Sequence, residues 1–302
     1  MAGNLSIATI AVPRPIVRGL VRVALRPTLS PAVPVRTQRR LLDVLGRVSI
    51  LPRDTIVSEV WLGHRPAERI EVPGSDSSRS VLYLHGGGYT VGSRTTHRAL
   101  AAHLAAAAGA TVFVLDYRLA PEDPFPAALE DAVDAYDDAL LASGSRPEQL
   151  ALAGDSAGGG LAIALALRIR DTGRPQPAAL ALASPWTDLT LADVADDRRD
   201  PMLTVDWLRS CAVRYAGVDR ALPEVSPLRA DLNGLPPMVV HGSADEILLP
   251  SIERFVERAR SAGVRARYRR LPDLWHVAHL HAGLMTAATD AVGDLGEFLR
   301  QQ

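Results

Sequence analysis

From residue 55 onward the chain alternates between short, dense apolar runs and longer periodic stretches. TIVSEVWL and ERIEV read as two early strands, and SVLYLH, TVFVLDY, QLALAG, AALALASP, PMVVHGS and RARYRRLP as later ones. Most of the later runs are short and nearly continuous in apolar residues, as strands buried on both faces are. Between them HRALAAHLAAAAG, FPAALEDAVDAYDDALLASG and SAGGGLAIALALRIRDTG predict helices ended by Gly109, Gly144 and Gly173. PSIERFVERARSAG and GLMTAATDAVGDLGEFL complete the helical set, with His279 and His281 expected where the last helix begins. Such alternation implies a mostly parallel sheet covered by helices on both faces, mixed at its early end if the first strands are antiparallel. The pattern lapses from Trp186 to Pro237, a polar, proline-bearing insertion with one helical piece at TVDWLRSCAVRYAG. No internal repeat or low-complexity tract is present.

The N-terminal region follows a different rule. Arg14, Arg18, Arg22 and Arg26 recur every four residues, with Ile16, Val17, Leu20, Val21 and Leu25 between them. This spacing predicts a short amphipathic helix, begun near Pro15 and stopped by Pro27. Its expected place is against the body of the protein with the arginines solvated; an anionic membrane surface is the alternative partner. MAGNLSIATIAVPRP lacks a basic region before its apolar part, so a cleaved signal peptide is not expected. The expected location is cytoplasmic, with peripheral membrane contact by this segment left open.

Composition narrows the function classes. The 302 residues carry a net charge of −1, which supplies no field for nucleic acid. Every side-chain base among the 33 is arginine, and the single cysteine, Cys211, excludes an internal disulfide framework. No apolar run is long enough to span a bilayer. The histidines lack metal-ligand spacing, so neither a metal nor an organic cofactor is expected.

The chemistry concentrates in three places. In LALAGDSAGGG, Gly154-Asp155-Ser156-Ala157-Gly158 fits G-x-S-x-G where a buried strand meets a helix, the context of a nucleophile held on a sharp turn. Upstream, SVLYLHGGGYTVGS carries His85 and then Gly86, Gly87 and Gly88 out of another buried strand. Bare glycine N–H groups beside a nucleophilic serine suit the oxyanion formed when an ester is attacked. Gly87, Gly88 and Ala157 are the expected donors; His85, Gly86 and Asp155 are expected to support the site. A serine nucleophile needs a base, and the base an orienting carboxylate, in the order Ser, Asp/Glu, His. MVVHGSADEILLP offers Asp245 for the acid, with Glu246 a rival and Asp273 a weaker one; LPDLWHVAHLH offers His276 for the base. Parallel strands present their C-terminal ends together, which would bring these residues to one sheet edge. His241 reads as structural.

The segments HGGGY, DYRLAPEDPFPAALEDA, GDSAGGGLA, SPWTDLT, GSADEILLPS and WHVAHLHAG, in this order, resemble the hormone-sensitive lipase family of α/β-hydrolase carboxylesterases. The resemblance implies an α/β-hydrolase fold and a serine carboxylesterase acting on short- to medium-chain esters, with Ser156, Asp245 and His276 as triad. It implies that YRLAPE braces the site, with Glu122 structural. It implies a catalytic domain over 51–302 and a helical cap built from residues 1–50 and the insertion 186–237. His276-Val277-Ala278 replaces the family's frequent His-Gly-Phe, and Glu246-Ile247 its Pro-Leu. The His-Val form looks like the branch near the monoterpene lactone hydrolases, so lactones or bulky esters are alternative substrates. A lipase bound to membrane, or a ligand receptor that keeps the fold but does no chemistry, are the remaining alternatives. Retention of His276 argues against the receptor. A homodimer through the edge strand RARYRRLP is also implied, although its arginines suit edge protection equally well.

Overall fold

The structure is a computed structural model that describes residues 9–143, 146–194 and 199–302. Residues 1–8 of the N-terminal segment and Gly144, the expected end of one helix, lie outside these. The strands are β1 (Ile56–Leu62), β2 (Arg65–Glu71), β3 (Asp76–Leu84), β4 (Ala110–Leu115), β5 (Leu150–Asp155), β6 (Leu180–Ala183), β7 (Met238–Asp245) and β8 (Ala266–Trp275). They form one sheet in the order β1-β2-β4-β3-β5-β6-β7-β8. β1 to β2 and β2 to β4 are antiparallel and the remaining pairs parallel, so the mixed early end is as expected.

The helices are α1 (Arg14–Thr28), α2 (Val35–Arg47), α3 (Arg94–Ala108), α4 (Ala127–Ser143), α5 (Ser156–Asp171), α6 (Val205–Ala216), α7 (Leu249–Ser261) and α8 (Thr286–Arg300). Two-residue periodicity splits the strand side chains between two cores. Val81, Tyr83, Ala151 and Ala153 face α3 and α8 through Leu100, Leu104, Leu295 and Leu299. Leu82, Leu84, Leu150 and Leu152 face the other way, onto Leu129, Leu161, Leu165, Ile252 and Phe255 of α4, α5 and α7. Burial on both faces is why these strands are nearly continuous in apolar residues.

Some boundaries differ from expectation. Pro27 lies inside α1. A proline at that position removes the N–H that would bond four residues back, a loss the helix tolerates here in its final turn. Residues Ala278–His281 form a separate 3₁₀ turn, and α8 begins only at Thr286. The second N-terminal helix, α2, was not expected. It is held by Gln38, fully buried, whose amide donates to the Ser30 and Val33 carbonyls and accepts from Trp207 Nε1 of α6. At the far edge of the sheet, Arg267 and Arg269 of β8 pair with Asp294 of α8, the charge protection an exposed edge requires.

Candidate active site

The strand-to-helix turn between β5 and α5 contains no connecting residue: β5 ends at Asp155 and α5 begins at Ser156. Such a reversal forces Ser156 to φ 51°, a left-handed conformation that costs a non-glycine residue about 1–3 kcal/mol. The turn also presses α5 against β3. A Cβ on Gly158 would collide with the carbonyl oxygens of Leu84 and His85, so glycine is obligatory there.

Ser156 Oγ lies 2.8 Å from His276 Nε2. His276 follows directly after β8, so the two side chains meet because both strands end at the same edge of the sheet. The other ring nitrogen, Nδ1, lies 2.9 Å from Glu246 Oε2. A carboxylate only accepts, so Nδ1 carries the proton and Nε2 is left to accept from the serine hydroxyl. Glu246 Oε1 accepts from the Ser243 N–H at 2.7 Å, which fixes the carboxylate. Burial opposes a charge on His276. The hydrogen bond and charge of Glu246, helped by Asp200 and Asp155, outweigh it, and the ring keeps its proton above the ordinary histidine value.

The expected acid, Asp245, is not at the ring. Its carboxylate faces α1 and accepts from Arg18 at 2.8 Å. The reason is a one-residue phase: neighbouring residues along an extended chain point to opposite sides, and the β7–β8 register shifts between Ser243 and Asp245. Asp273, the weaker rival, is exposed and paired with Arg14.

The glycine loop after β3 leaves His85 with Gly86 N–H donating to Asp155 Oδ1 at 3.0 Å. The same oxygen accepts from Tyr83 at 2.7 Å, and Asp155 Oδ2 lies 3.3 Å from His97 Nε2. Burial disfavours a charge on Asp155, but His97 and the Tyr83 hydroxyl prevail and hold its carboxyl below the ordinary range. Gly87 and Gly88 take φ 119° and 61°, values that demand glycine. Their N–H groups make no hydrogen bond among the described residues. Ala157 stands in the first turn of α5, where N–H groups lack intrahelical partners.

His85 is stacked on Tyr117 at 4.3 Å, and the Tyr117 hydroxyl donates to the His85 carbonyl at 2.6 Å. Burial and the adjacent His97 push His85 down to about 3, so it is a neutral prop. Tyr117 belongs to the YRLAPE neighbourhood and braces the loop. Glu122 instead ties α2, accepting from Arg39 at 2.8 and 3.1 Å. His241 pairs with Asp294 at 2.7 Å and lies 3.1 Å from His279, away from Ser156.

Above Ser156 and His276 is a cavity of about 270 Å³. α1 contributes Val17, Leu20 and Val21, α2 contributes Leu42 and Leu45, and Leu203, Trp207 and Val277 complete much of its apolar wall. Sequence reasoning named Glu246 only as the rival to Asp245 and missed two contributors to this region. α2 supplies part of the wall. Asp200, in the insertion, accepts from the N–H groups of Met202, Leu203 and Ile247 and so anchors the residue after Glu246. A capping-type Asp before two apolar residues was the one signal for Asp200. Among the described residues, no group of three or more His, Cys, Asp or Glu side chains is arranged to hold a metal ion. No described helix is long and apolar enough to cross a membrane.

Known proteins share this arrangement of elements. A family model for the alpha/beta hydrolase fold matches residues 81–280. The acetyl-hydrolase of Streptomyces hygroscopicus is 39% identical over 265 residues, covering 86% of this chain and 87% of that protein. The esterase of Acinetobacter venetianus is 34% identical over 265 residues, with the same coverage of 86% and 87%. Among solved structures, an esterase from the bacterial hormone-sensitive lipase family has a TM-score of 0.89 at 39% identity, covering 95% of this chain and 97% of that one.

Proposed function

We propose, since this chain belongs to the α/β-hydrolase family and is a carboxylic ester hydrolase, that it works as a serine esterase through Ser156, His276 and Glu246. The reading rests on the unbroken hydrogen-bond chain from Ser156 Oγ through the His276 ring to Glu246. As Oγ attacks the acyl carbon, Nε2 takes its proton and the carbonyl electrons move onto oxygen. That oxyanion is met by the N–H groups of Gly87, Gly88 and Ala157. Collapse breaks the ester bond, and the departing alkoxide takes the proton from His276. Water then attacks the acyl-enzyme, passes a proton to Nε2, and the carboxylic acid leaves as Ser156 regains its hydrogen. Glu246 orients the ring and stabilises its charged form throughout.

The cavity supports neutral esters with a short to medium apolar group. Its volume is near the small end of ligand pockets, roughly 300–1,000 Å³, and its far wall is aliphatic. The acetyl-hydrolase relative supports a short acyl group. A fluorophosphonate probe should label the protein at Ser156. Ser156→Ala should lose both labelling and at least about 10⁴-fold of p-nitrophenyl butyrate turnover, with an unchanged thermal melt. Near-parental turnover by that variant would refute the assignment. Lactones run in the same assay test the branch to which the His276-Val277 pair points.

A further inference from the structure

α1 and α2 both carry apolar residues on their outward sides. On α1, Ile16, Leu20 and Val23 follow one another at four- and three-residue steps and are 55, 61 and 77% exposed. On α2 and its C-terminal cap residue, Leu41, Val44, Leu45 and Val48 repeat at helical spacing and are 45, 59, 40 and 77% exposed. Apolar stripes on a surface helix normally face the core. Here α1 already buries Val17 and Val21, and α2 buries Gln38 and packs Val35 and Leu42 partly against the core. The outward stripes are therefore additional, and nothing among the described residues covers them.

Two further observations say what would cover them. Leu20 and Leu45 are exposed and also line the cavity above Ser156, so both stripes reach the mouth of the pocket. Charge flanks them. At 100° per residue, Arg22 lies about one-third of a turn from Val23 on α1, and Arg36, Arg40 and Arg47 share one side of α2 beside Val44. Arg22, Arg40 and Arg47 are exposed, with no ion pair among the described residues. No acid occurs before Asp43, and Asp43 accepts from the Ser93 hydroxyl. A second copy would bring these arginines against their own kind in a two-fold contact. An anionic lipid surface satisfies both features, with apolar side chains entering the acyl boundary and guanidinium groups meeting phosphates.

We propose that α1 and α2 dock this protein onto an anionic lipid surface with the mouth of the pocket turned toward it. Docking goes beyond the esterase reading and does not depend on it; only the entry of an ester from the lipid side does.

The test is co-sedimentation of the full chain with vesicles of phosphatidylcholine alone, or with about one-third phosphatidylglycerol. The wild type should pellet with the anionic vesicles, not with the neutral ones, and should be released in about 0.5 M salt. Arg22→Glu, Arg40→Glu and Arg47→Glu together should weaken partitioning on the order of 100-fold, each arginine near such a surface being worth roughly fivefold. Val23→Ser, Val44→Ser and Val48→Ser together should weaken it at least about tenfold. These valines do not line the pocket, so p-nitrophenyl butyrate turnover and the thermal melt should stay unchanged. Ser156→Ala should pellet as the wild type does, whatever becomes of the esterase reading. Three outcomes overturn the proposal: a wild type that remains in the supernatant, arginine and valine triple variants that pellet like it, or a wild-type dimer in light scattering that the valine-to-serine triple variant splits.

Discussion

Replacing Glu246 by glutamine keeps the size of the side chain and removes what the geometry needs. Its side chain is wholly buried, so no water can take over the contact with His276 Nδ1 at 2.9 Å. One oxygen already accepts from the Ser243 N–H at 2.7 Å. A glutamine that keeps that bond must turn its NH₂ toward Nδ1. The ring then accepts at Nδ1 and carries its proton on Nε2, where it cannot take the serine proton. The opposite flip points NH₂ at the Ser243 N–H, donor against donor. A base held in the wrong tautomer loses about 10⁴ in kcat, close to 5 kcal/mol of barrier. Asp245→Asn breaks only the ion pair with Arg18, whose side chains are 30% and 22% exposed. Pairs this open to solvent are worth about 0–1 kcal/mol, hence at most roughly a fivefold change. The two variants should therefore differ by about three orders of magnitude. Steady-state kinetics on p-nitrophenyl acetate, with thermal melts as a control for folding, measures that difference. A thousandfold loss in Asp245→Asn beside a near-normal Glu246→Gln would return the acid to Asp245 and refute this assignment.

Two other tests probe the base and the oxyanion loop. The base must be neutral to accept a proton, and His276 holds its proton above the ordinary histidine value. Ester kcat/KM should therefore rise with pH around a midpoint above about 6.5, and Glu246→Gln should move the remaining limb to lower pH. A wild-type midpoint below the ordinary value would contradict the coupling. Gly88→Ala would set a methyl group 3.0 Å from Cys211 Sγ and from the Trp207 ring, at φ 61°. Displacing that N–H should cost about 10²–10³ in kcat, while KM changes far less. Unchanged kcat in a folded Gly88→Ala protein would remove Gly88 from the oxyanion hole.

What was legible in the chain was local. The strand runs, the G-x-S-x-G turn and the glycine loop each announce themselves within a dozen residues, because strand burial, a φ near 51° and bare N–H groups are local demands. The meeting of Ser156 with His276 followed from topology alone, since parallel strands end together. The acid did not follow. Asp245 and Glu246 are adjacent carboxylates at a strand end, and the choice between them turns on a register shift against β8 that no composition encodes. α2 was overlooked although its pattern is legible: Leu41, Leu42, Val44 and Leu45 share one side of the helix, and Arg36, Arg39, Arg40 and Arg47 lie on the other.

The arginines of α1 show how far a correct local pattern can mislead about roles. A four-residue repeat predicted the helix and suggested a solvated charged face, yet three of the four arginines bond to the body of the protein. Arg14 pairs with Asp273 of the strand that carries the base, at 3.1 Å. Arg18 pairs with Asp245, one residue before Glu246, and its guanidinium lies 5.9 Å from the Trp275 ring, one residue before His276. Arg26 donates to the backbone carbonyls of Asp200 and Leu203, beside the carboxylate that anchors Ile247. One helix thus contacts the loop of the acid, the strand of the base and the inserted segment. Each pair is partly exposed and weak alone, but the three share one rigid element, so ordering α1 once serves all of them. The same orientation that lets Arg14, Arg18 and Arg26 reach their partners leaves Ile16, Leu20 and Val23 on the outside. The brace on the catalytic loops and the apolar rim of the pocket are consequences of a single helix orientation.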